Sequence, residues 1–195
     1  MESREFFREP PWDAPLDVAA ELKAISRHLT QKGMFLAAMV AEAKKRGIVL
    51  PSARERYVPF HDYPLREHAT LLTECATAFY PALAARQALR RLGRAAYMAF
   101  LESTVGKVVW STVNNDPHNA LHGILRGYQI AVPGCHAHLV ETRPRGAVIR
   151  LEHVPYFLDS HHVGCLEGAL KSVGLEGKIK LRMESTHTAD FLCEW

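Results

Sequence analysis

The sequence predicts an α+β fold, in which a helical first half precedes a mainly antiparallel sheet of about four strands with one inserted helix. Three observations support this prediction. Up to about residue 128, apolar residues recur at spacings of three and four, as in helices with one buried face. From residue 129 onward they alternate with polar residues, as in strands. One later segment, from Asp159 to Val173, returns to the helical spacing.

The length of 195 residues favours one domain. The proline-rich start indicates an irregular N-terminal arm over residues 1–14. We expect residues 15–195 to form a single α+β domain, helical over 15–128 and sheet-rich over 129–195.

The helical half contains six segments with apolar stripes. They cover Val18 to Leu29, Met34 to Arg46, Pro64 to Phe79, Leu83 to Leu92, Arg94 to Val109 and a segment that Asp116 and Pro117 open. Asp116 can cap free amide groups and Pro117 suits a first turn, so this start is well marked. Gly93 separates two of the segments and is interpreted as a helix end.

Four alternating segments make up the predicted sheet. They are His136 to Thr142, Ala147 to Val154, Ile179 to Glu184 and Ala189 to Trp195. The last two are predicted to pair as a hairpin, and the inserted helix from Asp159 to Val173 ends at Gly174.

Composition excludes several classes of protein. The net charge of +3, from 24 basic and 21 acidic residues, is too balanced for a dedicated nucleic-acid binder. Arg90, Arg91 and Arg94 are explained as solvated residues around a helix end. The four cysteines form no CxxC pair, and no stretch approaches the roughly 18 apolar residues of a membrane span. We therefore expect a cytoplasmic protein with reduced thiols and no membrane contact.

The histidines and cysteines suggest one candidate metal site. His136 and His138 would share one face of a strand, and His161 would align with Cys165 one helical turn later. If that strand and helix were adjacent, the four side chains could hold zinc in a tetrahedron. The alternative is that these histidines are surface or satisfied groups, since no HExxH or CxxC pattern is present.

Two other pairs of side chains could carry chemistry. His118 and His122 stand four residues apart on one helix and could ligate a metal or a haem iron, or simply form a polar helix face. Cys165 near His161 or His162 resembles a thiol and its base, but the helix supplies no third orienting group. The sequence contains no GxSxG, GxxxxGK[ST] or GxGxxG motif. Whether the protein is an enzyme is left open, and the sequence leans against it.

Several short motifs occur in an ordered series. They are Lys32-Gly33-Met34-Phe35-Leu36, Tyr63-Pro64-Leu65, Leu92-Gly93-Arg94-Ala95-Ala96-Tyr97, Ser103 to Lys107, Gly164 to Leu170, and Ala189-Asp190-Phe191 with Trp195. In this order the chain resembles an uncharacterised family of paralogous proteins largely restricted to myxobacteria. That family is distantly similar to the ligand-binding fold of haem-nitric-oxide sensors, 4-vinyl-reductase domains and transport-complex subunits.

The resemblance implies N-terminal helices, a C-terminal antiparallel sheet and a pocket between them. It does not imply haem, because the tyrosine-serine-arginine signature that holds the haem propionates in the nitric-oxide sensors is absent here. Tyr97, Phe100, Tyr128 and Phe157 are candidates to line such a pocket, although an ordinary core would bury them equally well.

We therefore expect a non-enzymatic sensory or regulatory module that binds a small apolar ligand, or none, between helices and sheet and signals to a protein partner. One alternative is a scaffold that dimerises through an apolar helix face. Another is a zinc- or thiol-dependent enzyme that uses His161 and Cys165.

Overall fold

The computed structural model describes residues 7–111, 113, 115–132 and 134–195 of the chain. The helices are α1 (Val18–Ala24), α2 (Gly33–Lys45), α3 (Leu65–Phe79), α4 (Ala85–Glu102), α5 (Thr104–Trp110), α6 (Pro117–Ala131) and α7 (His161–Ser172). The strands are β1 (Thr30–Lys32), β2 (Asp62–Pro64), β3 (His136–Arg143), β4 (Gly146–Glu152), β5 (Lys178–Met183) and β6 (Ala189–Glu194). The predicted α+β fold class is confirmed, with α7 as the helix between two hairpins.

The main sheet has the strand order β3-β4-β6-β5, and each neighbouring pair is antiparallel. Alternation sorts its side chains onto two faces. Ile149 and Phe191 are opposite each other in β4 and β6 and are fully buried on the inner face. On the outer face, Val148 and Leu192 form a second, smaller cluster with Phe7.

The inserted helix α7 packs against α4 at backbone distance. A Cβ atom on Gly164 would lie 1.9 Å from the carbonyl oxygen of Arg90, and one on Gly93 would lie 2.0 Å from that of His161. No side chain fits at either position, so glycine is required by the close approach of the two helices.

This contact corrects the sequence interpretation of Gly93 as a helix end. Helix α4 runs without a break from Ala85 to Glu102, and Gly93 lies inside it. A glycine is needed at this position because α7 packs closely against it. The local sequence around Gly93 carries no sign of that contact. Arg90, Arg91 and Arg94 consequently lie within a helix, not around its end.

Two other segments differ from the prediction. Helix α1 ends at Ala24, before Ile25 and Leu29, because the chain turns to form β1. Strand β1 pairs with β2 in an antiparallel ribbon that was not predicted, since two three-residue strands give no periodic signal.

The chain lies against the sheet near residue 7, before the start of α1. Phe7 is buried, and Arg8 exchanges two backbone hydrogen bonds of 2.9 Å with Leu181 in β5. Among the described residues, no helix combines the length and hydropathy needed to cross a membrane.

Candidate functional site

A cavity of about 670 Å³ lies among the helices. Its walls come from α2, α3, α4, α6 and α7 and from Tyr156 in the loop before α7. Beyond α6 and Val132, the chain contributes Tyr156, His161, His162 and Cys165 to the described lining, and the strands of the main sheet contribute none. The cavity therefore lies between the helical half and α7, one layer away from the sheet.

Five buried side chains in this lining each carry a polar atom without a hydrogen-bond partner. The atoms are Gln31 Oε1, His68 Nδ1, Tyr97 Oη, His161 Nδ1 and His162 Nε2. Each of these residues is 5% exposed or less. Among the described residues, only one other side-chain atom shares this property, Nε2 of the half-buried His187. The unsatisfied polar groups are thus concentrated at one place in the molecule.

The three histidines of the cavity are held neutral. Burial, with a smaller effect of His161, lowers the pKa of His68 to about 3. Burial lowers the pKa of His161 to about 4, although the backbone at Leu89 opposes the shift. The pKa of His162 falls well below its ordinary value through burial and the two neighbouring imidazoles, with the backbone at Tyr156 opposing. At neutral pH the cavity therefore presents uncharged rings.

Hydrogen bonds connect two of these rings to neighbouring groups. The Tyr128 hydroxyl lies 2.6 Å from Nδ1 of His162, and Cys165 Sγ lies 3.6 Å from Nε2 of His161. The second contact confirms the predicted alignment of His161 and Cys165 one turn apart. Burial raises the pKa of the Cys165 thiol to about 12, which is the opposite of the shift that activates a nucleophilic cysteine.

The charged residues of the cavity lining lie mainly at the C-terminal end of α2. Arg46 Nε is 2.9 Å from Glu42 Oε1, and Lys45 Nζ is 3.8 Å from Glu42 Oε2. Glu42 therefore pairs with both cations that the described lining contains.

The predicted pocket residues divide into two groups. Tyr97, Phe100 and Tyr128 lie in the cavity lining. Phe157 is 1% exposed and packs in the hydrophobic core, outside that lining.

The four predicted zinc ligands lie in two places. His161 and Cys165 face the cavity, whereas His136 and His138 are exposed on β3. His136 instead lies beside His153, with ring centroids 5.6 Å apart. Among the described residues, no group of three or more His, Cys, Asp or Glu side chains is arranged to hold a metal ion.

The α6 histidines are not part of the cavity lining. His118 Nε2 lies 2.9 Å from the carbonyl oxygen of Arg143, and its ring makes an edge contact with Trp195. His122 is exposed on the same helix.

Sequence reasoning missed Gln31, His68 and Tyr156 as cavity residues and assigned His68 to the core. A signal was available for His68, because a histidine on an otherwise apolar helix stripe needs a polar partner when it is buried. No local signal identifies Gln31, which reaches the cavity only because β1 pairs with β2.

Comparison with known sequences identifies a family. The sequence profile described as "Protein of unknown function (DUF2378)" matches residues 23–195. A search of curated proteins finds no match.

Comparison with solved structures finds similar folds. An Fe(II) unliganded H-NOX protein from K. algicida is 14% identical, with a TM-score of 0.59 over 84% of this chain and 95% of that one. An H-NOX protein from S. oneidensis in the Fe(II)NO ligation state is 12% identical, with a TM-score of 0.59 over 84% and 98% of the two chains. A structure solved in work on porphyrin distortion and heme redox potential is 13% identical, with a TM-score of 0.63 over 84% and 99%. These similarities establish the fold.

Proposed function

This chain belongs to the DUF2378 family, whose function is unknown, and we propose that it is a sensory module that binds a small, neutral, largely apolar ligand in the cavity beside α7. In this proposal, the ligand accepts or donates hydrogen bonds at the cavity's buried polar groups. Its presence changes the packing of α7 on α4 and is transmitted to a protein partner.

The observation that carries the proposal is the concentration of unsatisfied polar atoms in one cavity. A buried donor or acceptor without a partner costs about 1–3 kcal/mol of folding free energy. Five such side chains in one core cavity are costly for a purely structural protein. A molecule in the cavity would supply the missing partners, and a ligand with an apolar body and one or two polar atoms matches the aromatic walls.

The electrostatics of the cavity favour a neutral ligand. The imidazoles of His68 and His161 stay uncharged because their pKa values lie at about 3 and 4. The two cations of the described lining, Lys45 and Arg46, are exposed and lie beside Glu42, whereas the buried polar side chains of the lining carry no positive charge. An anion would therefore lose its hydration without gaining a counter-charge.

Haem, the group named in work on the similar structures, does not fit these residues. Neutral buried imidazoles could ligate iron, but the two propionates need cations or strong donors, and the only two cations of the described lining, Lys45 and Arg46, share Glu42 at the exposed end of α2. The histidines of α6, His118 and His122, lie outside the cavity lining. We therefore propose a ligand other than haem.

A thiol enzyme is also not favoured. Catalytic cysteines act as thiolates with lowered pKa values, whereas burial raises the pKa of Cys165 to about 12. The neighbouring His161 is likewise poorly suited to hold a proton, because burial lowers its pKa to about 4.

The contact between α4 and α7 supports a signalling role. Cys165 and Tyr97 line the cavity from α7 and α4, while Gly164 and Gly93 hold the same two helices at backbone distance. A ligand that displaces α7 therefore cannot leave α4 unmoved, because close-packed backbones do not absorb a shift locally.

The test uses N-phenyl-1-naphthylamine, a neutral fluorescent probe with two aromatic groups and one N–H. We expect saturable binding with an emission shift typical of an apolar site. Gly127 lines the cavity, and a Cβ there would meet only the Phe100 ring at 3.8 Å, so Gly127→Leu should fill the space and raise the Kd at least tenfold. Gln129→Leu, on an exposed turn of the same helix, is the matched control and should leave the Kd unchanged.

Two results would overturn the proposal. One is the absence of saturable probe binding by the folded wild-type protein. The other is an equal Kd for the wild type and Gly127→Leu, which would place the probe elsewhere. Circular dichroism of each variant verifies that the fold is retained.

A further inference from the structure

A second concave site of about 740 Å³ lies along α4 and borders the first cavity, with which it shares Tyr80, Ala95 and Met98. Four cations line it: Arg90, Arg91 and Arg94 from α4, and Lys171 from α7. Two aromatic side chains, Trp12 and Tyr80, complete the arrangement, which we call the basic cleft.

The basic cleft contains more positive than negative charge. Arg90 and Arg94 both donate to the buried carboxylate of Glu167. Arg94 Nη1 is also 4.0 Å from Glu176 Oε2, but the Glu176 side chain is 76% exposed and screens weakly. Within the described part of the chain, Arg91 and Lys171 have no carboxylate oxygen within 4.0 Å and are exposed.

Helix stability accounts for Lys171, in the last turn of α7, but not for the three arginines of α4. Arg90, Arg91 and Arg94 lie inside α4, where like charges three or four residues apart are destabilising. The dipole of a helix end, which would favour cations, does not act in its middle turns. Glu167 accounts for Arg90 and Arg94, but no described carboxylate lies beside Arg91 or Lys171. Four cations in one concavity with one buried carboxylate are typical of an anion-binding site.

The N-terminal arm holds one wall of the cleft in place before any ligand binds. The Trp12 ring lies beneath the Arg90 guanidinium, 4.4 Å from its carbon, and Arg91 is 6.0 Å from the Tyr80 ring. Next to Trp12, Asp13 accepts a hydrogen bond of 2.7 Å from Gln87 on α4. The chain that follows is fixed by Arg86, which donates to the Ala14 and Pro15 carbonyls. Trp12 is therefore held as part of a preformed wall.

We infer that the basic cleft binds a nucleoside polyphosphate. Arg91 and Lys171 are the cations free to bind phosphate oxygens, since Arg90 and Arg94 are engaged by Glu167. Arg90 covers one face of the Trp12 ring, which leaves the other face and the Tyr80 ring as flat apolar surfaces on which a base stacks. The basic cleft borders the first cavity, but its proposed ligand is anionic and it contains none of the buried histidines.

Isothermal titration calorimetry with ATP, inorganic triphosphate and adenosine tests the inference on the full chain. We expect ATP to bind more tightly than triphosphate, and adenosine alone to give no saturable heat. Arg91→Gln and Lys171→Gln should each raise the Kd for ATP at least fivefold, since each removes a charge-assisted contact. Arg126→Gln, an exposed cation on α6, is the matched control and should change nothing.

Two further measurements sharpen the test. Trp12→Leu should raise the Kd for ATP while leaving that for triphosphate unchanged, since it removes only stacking. A rise in salt from about 50 to 200 mM should weaken the binding of ATP and of triphosphate several-fold, because the cleft is open to solvent. The absence of ATP binding up to about 1 mM, or an equal loss in Arg126→Gln, would overturn the inference. Binding of N-phenyl-1-naphthylamine should be the same in Arg91→Gln and wild type, so the two proposals fail independently.

Discussion

The hydroxyl oxygen of Tyr128 on α6 lies 2.6 Å from Nδ1 of His162 on α7, and both residues are buried. This hydrogen bond joins two walls of the cavity, and the opposite ring nitrogen of His162, Nε2, is buried without a partner. A buried imidazole that keeps one partner and lacks the other is arranged to receive a ligand atom.

Removal of that hydroxyl should destabilise the protein. Tyr128→Phe leaves Nδ1 of His162 buried without its partner, and we expect the free energy of unfolding to fall by about 1–3 kcal/mol. Urea unfolding at pH 7 measures the change. Tyr80→Phe, at a half-buried tyrosine, is the control and should stay within about 0.5 kcal/mol of wild type. An unchanged stability of Tyr128→Phe would mean that His162 finds another partner.

Acid should unfold the protein through the buried histidines. The unfolded chain takes up protons below the ordinary pKa of 6.5, whereas His68 and His161 in the folded state resist protonation down to about 3 and 4. Their contribution to stability is therefore complete above pH 6.5 and is lost as the pH falls toward 4. Each histidine should add a slope of about 1.4 kcal/mol per pH unit.

Urea unfolding between pH 4.5 and 7 measures this slope. The slope should decrease by about 1.4 kcal/mol per pH unit in His68→Phe and stay unchanged in His122→Phe, whose side chain is exposed. The same slope in His68→Phe and wild type would show that His68 is protonated in the folded state.

The helix contact between α4 and α7 should not tolerate one methyl group. In Gly164→Ala, the new Cβ would lie 1.9 Å from the Arg90 carbonyl oxygen, so the helices must separate. We expect a loss of at least about 2 kcal/mol. Gly127→Ala provides the matched control, because its Cβ meets only the Phe100 ring at 3.8 Å. That variant should be neutral or up to about 1 kcal/mol more stable. Equal thermal stability of the two variants would contradict the observed contact.

The buried carboxylate of α7 should be essential for folding stability. Glu167 is 3% exposed and accepts hydrogen bonds from Arg90 and Arg94. Glu167→Gln removes its charge and leaves both guanidinium groups without their main counter-ion. We expect a loss of about 2–4 kcal/mol, whereas Glu176→Gln, at an exposed side chain, should stay within about 0.5 kcal/mol. Similar urea midpoints for the two variants would contradict this prediction.

Hemin titration separates this protein from haem-binding proteins of the same fold. Because Glu42 pairs with both cations of the described cavity lining, we expect no stoichiometric Soret band from a histidine-ligated haem. A saturable band at one equivalent that disappears in His162→Ala or His68→Ala would refute the prediction. Ordinary hydrophobic adsorption of hemin would give an absorbance that neither variant alters.

The period of apolar residues was sufficient to predict most of the architecture. Helices α2, α3 and α6 and the four strands of the main sheet begin and end within a few residues of the predicted bounds, because each buries one regular face. Gly93 was misinterpreted, since its role depends on α7, which lies far away in the sequence. Local pattern cannot distinguish a glycine that ends a helix from one that admits a neighbouring helix.

The candidate site was only partly predictable. Tyr97, Phe100, Tyr128, His161 and Cys165 were all named from the sequence and lie in the cavity lining. The predicted grouping of His161 and Cys165 with His136 and His138 depended on an assumed adjacency of strand and helix. In the structure, the two β3 histidines are exposed while the two α7 residues face the cavity.

The sequence by itself determined which segments are helices or strands and which face of each is buried, because these properties follow from residue spacing along one element. Only the tertiary structure decided that α7 closes a cavity against α4 and α6 and that Gln31 and His68 meet His161 and His162 there. It also decided that Arg91 and Lys171 share one cleft with Trp12. These contacts between distant residues depend on how the helices cross and on where the N-terminal arm runs. Neither property leaves a periodic pattern in the local sequence.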